Sequence, residues 1–149
     1  MAVDGKARSK AFVKYLQAEY DRLDVNPQSL VAKAVGLSQE DIAWAKSQDK
    51  RFPKEGELDG QGDAARHLAL GYISQKSKTP KLALKTANMR EYLELDNVGR
   101  PMDIFNNNLG STIKADSYEE AEKIIDALIK NNKAKYLTLE KSNQERGYK

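Results

Sequence analysis

The chain has 149 residues, of which 40% are hydrophobic and 32% charged, and a formal net charge of +3. That length supports one domain with a real core and is too short for two comfortable ones. With no cysteine and a single histidine, the chain excludes disulfides, thiolate zinc sites, cysteine nucleophiles and a multi-histidine metal site within one copy, so any metal would rest mainly on oxygen ligands.

Taken in chain order, residues 6–23 carry an amphipathic helical pattern, with Phe12, Leu16, Tyr20 and Leu23 on one face. Asn26-Pro27 opens a second helix with Asn as N-cap and Pro in the first turn. Leu30, Val31, Ala34 and Val35 form its apolar stripe, and Gly36 supplies a left-handed cap. Ser38-Gln39-Glu40-Asp41 begins a third helix with acids in its first turn, Ile42 and Ala45 facing inward, and it fades by Asp49. Residues 51–62 read as a loop punctuated by Pro53, Gly56, Gly60 and Gly62. A fourth helix runs from about Asp63, its N-cap, to Ser77. Thr79-Pro80 caps a fifth, reaching to about Leu95, and Pro101 starts a short sixth that ends at Gly110. Ser117-Tyr118-Glu119-Glu120 is a capping box, and the helix it opens carries Ala121, Ile124, Ile125, Leu128 and Ile129 as a continuous stripe stopped by Asn131-Asn132. Tyr136 to Leu139 has weak strand character without an obvious partner, and residues 142–149 read as a frayed tail. The expected fold is all-α: a single domain, 1–149, built as an irregular bundle of six or seven short helices. The expected core includes Phe12, Leu16, Leu30, Val31, Ile42, Leu68, Tyr72, Ile124, Ile125 and Leu128.

No apolar run approaches the roughly 18–20 residues of a membrane span. The segment Met1 to Lys6 lacks the apolar stretch of a secretory signal. The expectation is cytoplasmic synthesis without a signal peptide, with any export depending on packaging, for instance into a virion. Basic residues gather towards both ends but are interspersed with acids, a pattern that solvated helix faces explain more cheaply than nucleic acid does.

Two dense polar blocks stand out. Gly60-Gln61-Gly62-Asp63-Ala64-Ala65-Arg66-His67 is a glycine-rich turn running into a helix. Asp63, Arg66 and His67 fall at i, i+3 and i+4, so they share one face near the helix N-terminus, where anions are favoured. The turn is not a P-loop, because the Lys-Ser/Thr after the second glycine is missing. The second block, Met102-Asp103-Ile104-Phe105-Asn106-Asn107-Asn108-Leu109-Gly110, repeats that spacing with Asp103, Asn106 and Asn107. Asp and Asn compete with the helical backbone for hydrogen bonds, so a purely structural helix has little use for them. An Asn-rich end running down to a Gly110 cap accounts for Asn108 and not for Asn106. Glu91, between Arg90 and Tyr92, is a further candidate.

These segments resemble an uncharacterised family found in bacterial and phage reading frames. Its pattern runs Gly-Asp-Ala-x-Arg-His, then His-Glu, then Met-Asp-x-x-Asn-Asn-x-x-Gly, followed by an amphipathic helix and a short extended segment. Gly62 to His67, Arg90-Glu91, Met102 to Gly110 and residues 118–139 carry the resemblance. It spans roughly 59–140 and leaves the N-terminal helices, within 1–50, uncovered. Where the pattern has a histidine before the glutamate, this chain has Met89-Arg90. The resemblance implies a shared polar site and names no activity.

Two readings follow. In the first, the domain is a small hydrolase acting on a cell-wall, phosphoester or lipid ester bond. His67 is its general base or a ligand, and Asp103 orients it or offers a place for a hard divalent cation. Arg66, Asn106 and Asn107 bind substrate, with Asp63 and Glu91 in support. In the second, the chain is a phage virion or accessory interaction protein, its partners are other protein subunits or a phage particle, and the His/Asp/Asn network fixes the fold. Nucleic-acid binding through the terminal lysines trails both.

Overall fold

The computed structural model describes residues 34–52, 60–93 and 100–138, with the isolated positions 11, 14 and 141. The helix expected over 6–23, all but the end of the one opened by Asn26-Pro27, residues 53–59 of the expected 51–62 loop and the tail from Ser142 lie outside the described residues. Those residues form an all-α domain without a strand: α1 (Gln39–Ser47), a 3-10 turn (Gln48–Arg51), α2 (Gln61–Ser74), α3 (Pro80–Leu93), α4 (Arg100–Gly110) and α5 (Tyr118–Lys130). The five α-helices expected from Ser38 onward are all present, and the first two expected helices lie largely outside the described residues. The segment around Tyr136 to Thr138 is irregular.

Local chemistry sets the helix ends. Ser38 caps α1 by accepting a hydrogen bond from the Asp41 backbone N–H at 3.0 Å, and Ser117 does the same for α5 with the Glu120 N–H at 3.1 Å. Glu120 reaches back to the Asp116 N–H at 2.8 Å, one residue earlier than a strict capping box would have it. Gly36 takes the left-handed conformation expected of it (φ 76°). Asn132 also turns left-handed (φ 54°) where α5 stops, a conformation Asn tolerates better than most residues.

The central element is α2, which packs against every other helix. Eleven of its residues, from Gly62 to Ser74, are buried, so it lacks the polar outer face of a surface helix. Leu68, Ala65, Ala69, Tyr72 and Ile73 meet Ala121, Ile125 and Ile129 of α5 and Ala45 of α1 in one core. Ile42, Ile124 and Leu128, expected inside, are only partly buried. Ile124 and Leu128 flank the α5 stripe set by Ala121, Ile125 and Ile129 at i, i+4 and i+8.

On the other side, α2 crosses α4 at backbone contact. A Cβ at Gly71 would run into the Asn107 carbonyl oxygen, and a Cβ at Gly110 into the Leu68 carbonyl oxygen. Gly110 is therefore not a left-handed cap. Gly36 is the positive-φ glycine among the described residues, and Gly110 stays helical because close approach, not a turn, requires it.

Candidate functional site

The α2–α4 crossing brings the two polar blocks together. Asp63 and His67 lie one turn apart on α2, and Asp103 and Asn107 one turn apart on the facing surface of α4. The glycine contacts place the two helix axes close enough for short side chains to meet. Asp63 is not the N-cap that its position suggests. Helix α2 starts two residues earlier with Gly60 as cap, so Asp63 sits inside the first turn with its side chain turned inward. Gly62 of the glycine-rich turn serves packing, since a Cβ there would stand 2.8 Å from the Asp49 carbonyl oxygen.

His67 is the centre of the group. Its Nδ1 lies 2.9 Å from Asn107 Oδ1. Asn107 donates from Nδ2 to Asn88 Oδ1 at 3.1 Å, and Asn88 donates in turn to Asn108 Oδ1 at 2.9 Å. This relay of amides turns the Asn107 carbonyl towards the ring, which suits a hydrogen on Nδ1 and, in the neutral ring, leaves the lone pair on Nε2. Nε2 points between two carboxylates, 3.5 Å from Asp63 Oδ1 and 3.5 Å from Asp103 Oδ1. All three residues are buried, at 3% exposure for Asp63, 6% for His67 and 5% for Asp103. Arg66 pairs with Asp63 from the rim, and its side chain is 37% exposed. The group thus has a buried heart and one cationic residue that reaches solvent.

The remaining candidates divide. Asn106 is fully buried but faces away from His67. It donates to the Lys135 carbonyl at 2.7 Å and accepts from the Lys135 N–H at 2.9 Å. Both ends of its amide hold the segment after α5. Glu91 and the Met89-Arg90 departure lie on α3, and their side chains fall outside the described ones. Asn88 escaped sequence reasoning. The available signal was an asparagine inside a helix, three positions before Glu91, where its side chain competes with the backbone unless it has a partner of its own.

A family model described as a domain of unknown function, DUF6973, matches residues 27–136. The chain belongs to that family. The match begins well before residue 59, so the family's extent includes α1 and the 3-10 turn as well as the motif-bearing part. No curated protein and no solved structure matches the chain.

Chemically, the site of this DUF6973 domain offers one imidazole nitrogen, two carboxylates within reach of it and a guanidinium at the rim. Such a set can orient and deprotonate water or hold a cation, and it can neutralise an anionic group approaching from the Arg66 side.

Proposed function

We propose that this domain is a small hydrolase whose water-activating centre is His67 with Asp103 and Asp63. The observation that carries the reading is the contact between His67 Nδ1 and the Asn107 carbonyl oxygen, which sets how the ring is turned. A relay of three asparagines from two helices presents its Nε2 to two buried carboxylates. Arranging that relay costs helix propensity at Asn88, Asn107 and Asn108. The apolar packing around it gains nothing from the choice of ring nitrogen. Asn107 is then a positioning residue, Arg66 receives an anionic group of the substrate, and Asp63 links Arg66 to the ring. The substrate class is an ester, phosphoester or cell-wall bond with a negative charge near the bond that is cut.

The test is a screen of ester, phosphoester and peptidoglycan substrates with the wild-type chain and His67→Ala. Wild type should turn over at least one class, and His67→Ala none.

The burial of Asp63, His67 and Asp103 favours a second reading, in which the domain is a non-enzymatic virion or accessory interaction protein of bacteriophage type. The network then fixes the α2–α4 crossing. Wild type inactive throughout the screen, with His67→Ala and Asn107→Ala each costing about 1–3 kcal/mol because a buried partner is orphaned, would establish that reading instead.

A further inference from the structure

We infer that Asp63, His67 and Asp103 form a binding site for one divalent first-row cation of the manganese-to-zinc kind. The inference rests on the reading of this group as a functional centre and names what it holds.

Spacing is the first argument. His67 Nε2 is 3.5 Å from an oxygen of each carboxylate, longer than the roughly 2.7–3.2 Å of a good N–H···O hydrogen bond. With metal–ligand bonds of about 2.0–2.1 Å, neighbouring ligand atoms of a tetrahedral site stand about 3.3 Å apart. One ligand atom from each of the three residues lies within 4.8 Å of the others. The two separations from His67 Nε2 thus match those of neighbouring ligands sharing an ion.

The tautomer is the second argument and is independent of that spacing. Because the Asn107 carbonyl faces Nδ1, the neutral ring with its hydrogen on Nδ1 directs the Nε2 lone pair towards the two carboxylate oxygens. A cation between them would be shared by all three. Metal-bound histidines are held in this way, donating the second ring N–H to an oxygen that fixes the ring's orientation. Arg66 pairs with the same Asp63 oxygen that faces His67 Nε2, so Asp63 would bridge the guanidinium and the ion.

The donor set selects the ion. One imidazole and two carboxylates suit manganese or zinc, whereas calcium prefers six to eight oxygens and magnesium keeps most of its waters. Two helices supply the three ligands found among the described residues, and water or substrate would complete the sphere of a catalytic site.

The test is titration of the chelator-stripped full chain with Mn²⁺, followed by electron paramagnetic resonance, and with Zn²⁺, followed by calorimetry. Wild type should bind one equivalent. His67→Gln and Asp103→Asn, shown folded by circular dichroism, should lose that equivalent, and Asn107→Ala should weaken it by about 10–100-fold, as loss of an orienting partner does. Absence of binding by wild type, or binding undiminished in both ligand variants, overturns the inference. The hydrolase reading fails separately. Turnover that persists in chelator with no ion bound removes the metal and keeps the hydrolase. One ion bound without turnover of any substrate keeps the metal and removes the hydrolase.

Discussion

Where α5 meets α2 and α1, aliphatic and aromatic side chains fill the space between helices; where α4 crosses α2, the backbones touch and the buried side chains are polar. On the first side, Ile125, Ala121 and Ile129 are sealed. Trp44 stacks on Tyr118 with ring centroids 4.6 Å apart and meets the edge of Tyr72 at 5.6 Å. The polar atoms there serve docking: Glu122 of α5 accepts from Trp44 Nε1 and from Gln48 Nε2, both at 3.0 Å. On the second side, Asp63, His67, Asp103, Asn106 and Asn107 occupy positions that a simple bundle would give to Leu or Ala. The first arrangement gains stability from area removed from water. The second holds together because every amide has a partner and because glycine lets the helices approach. Buried polar groups contribute little net stability even when paired, so the polar crossing depends on its neighbours for support.

Substitution at the crossing should therefore have the largest effect. Gly71→Ala places a methyl group against the Asn107 carbonyl oxygen, which is backbone and cannot rotate away. The helices must separate, and the His67–Asn107 bond separates with them. The expected cost is about 3 kcal/mol or more, at the upper end of overpacking effects. Urea denaturation measures it, and a midpoint equal to wild type would mean that α2 and α4 do not touch.

The apolar side offers a graded contrast. Ile125→Ala should cost about 3 kcal/mol, because the side chain is fully enclosed. Leu128→Ala, one turn further on and only partly buried, should cost roughly half as much. Equal losses for the two in the same urea series would place the α5 stripe one residue away from where Ala121, Ile125 and Ile129 put it.

The same contrast separates what could be read from the sequence from what could not. Caps and stripes were legible. Ser38, Ser117 and Gly36 act through local geometry, and the 121–129 pattern needs only the helical repeat. The two polar faces on α2 and α4 were legible too, because Asp and Asn at i, i+3 and i+4 violate helix preference together. Helical spacing says which residues share a face and leaves open which neighbour each one meets. Asn106 and Asn107 are adjacent, yet one clamps Lys135 and the other orients His67. Asn88 stands out in its own segment as an asparagine inside a helix, but the partners it meets on α4 are a tertiary fact. Gly110 has the sequence position of a cap and the structural role of a contact.

A smaller effect concerns pH on the apolar side. Burial would raise the Asp41 carboxyl, but hydrogen bonds from Tyr118 and Ser38, with Lys76 at 3.1 Å, outweigh it and hold the group below its usual range. The Asp41 contribution is therefore present above about pH 4 and lost as pH falls through the lower, folded value. Tyr118 shifts in the opposite direction, raised by burial first and then by its bond to Asp41. Its contribution is present below about pH 10 and lost as pH rises beyond that. Tyr118→Phe should cost about 1–2 kcal/mol at neutral pH, as loss of a hydrogen bond to a charged group does. It should also flatten stability against pH at both ends. A pH profile for Tyr118→Phe parallel to wild type would show that the pair does not couple to folding.

The smallest effect is expected at the site itself, and its sign carries the information. Asp103→Asn keeps the side chain's shape and removes one of two negative charges that converge on His67 Nε2. In a network built for stability, exchanging a buried carboxylate for an amide should cost about 1–3 kcal/mol. In a site built for chemistry, two carboxylates facing one point are a strain that the metal-free protein tolerates, and removing one relieves like-charge repulsion. Metal-free Asp103→Asn should then lie within about 0.5 kcal/mol of wild type or slightly above it, the usual signature of a residue kept for function. Parallel urea curves in chelator decide the matter. A loss of about 2 kcal/mol would assign Asp103 to the fold and make the polar crossing a structural device, different from the apolar side only in the chemistry of its packing.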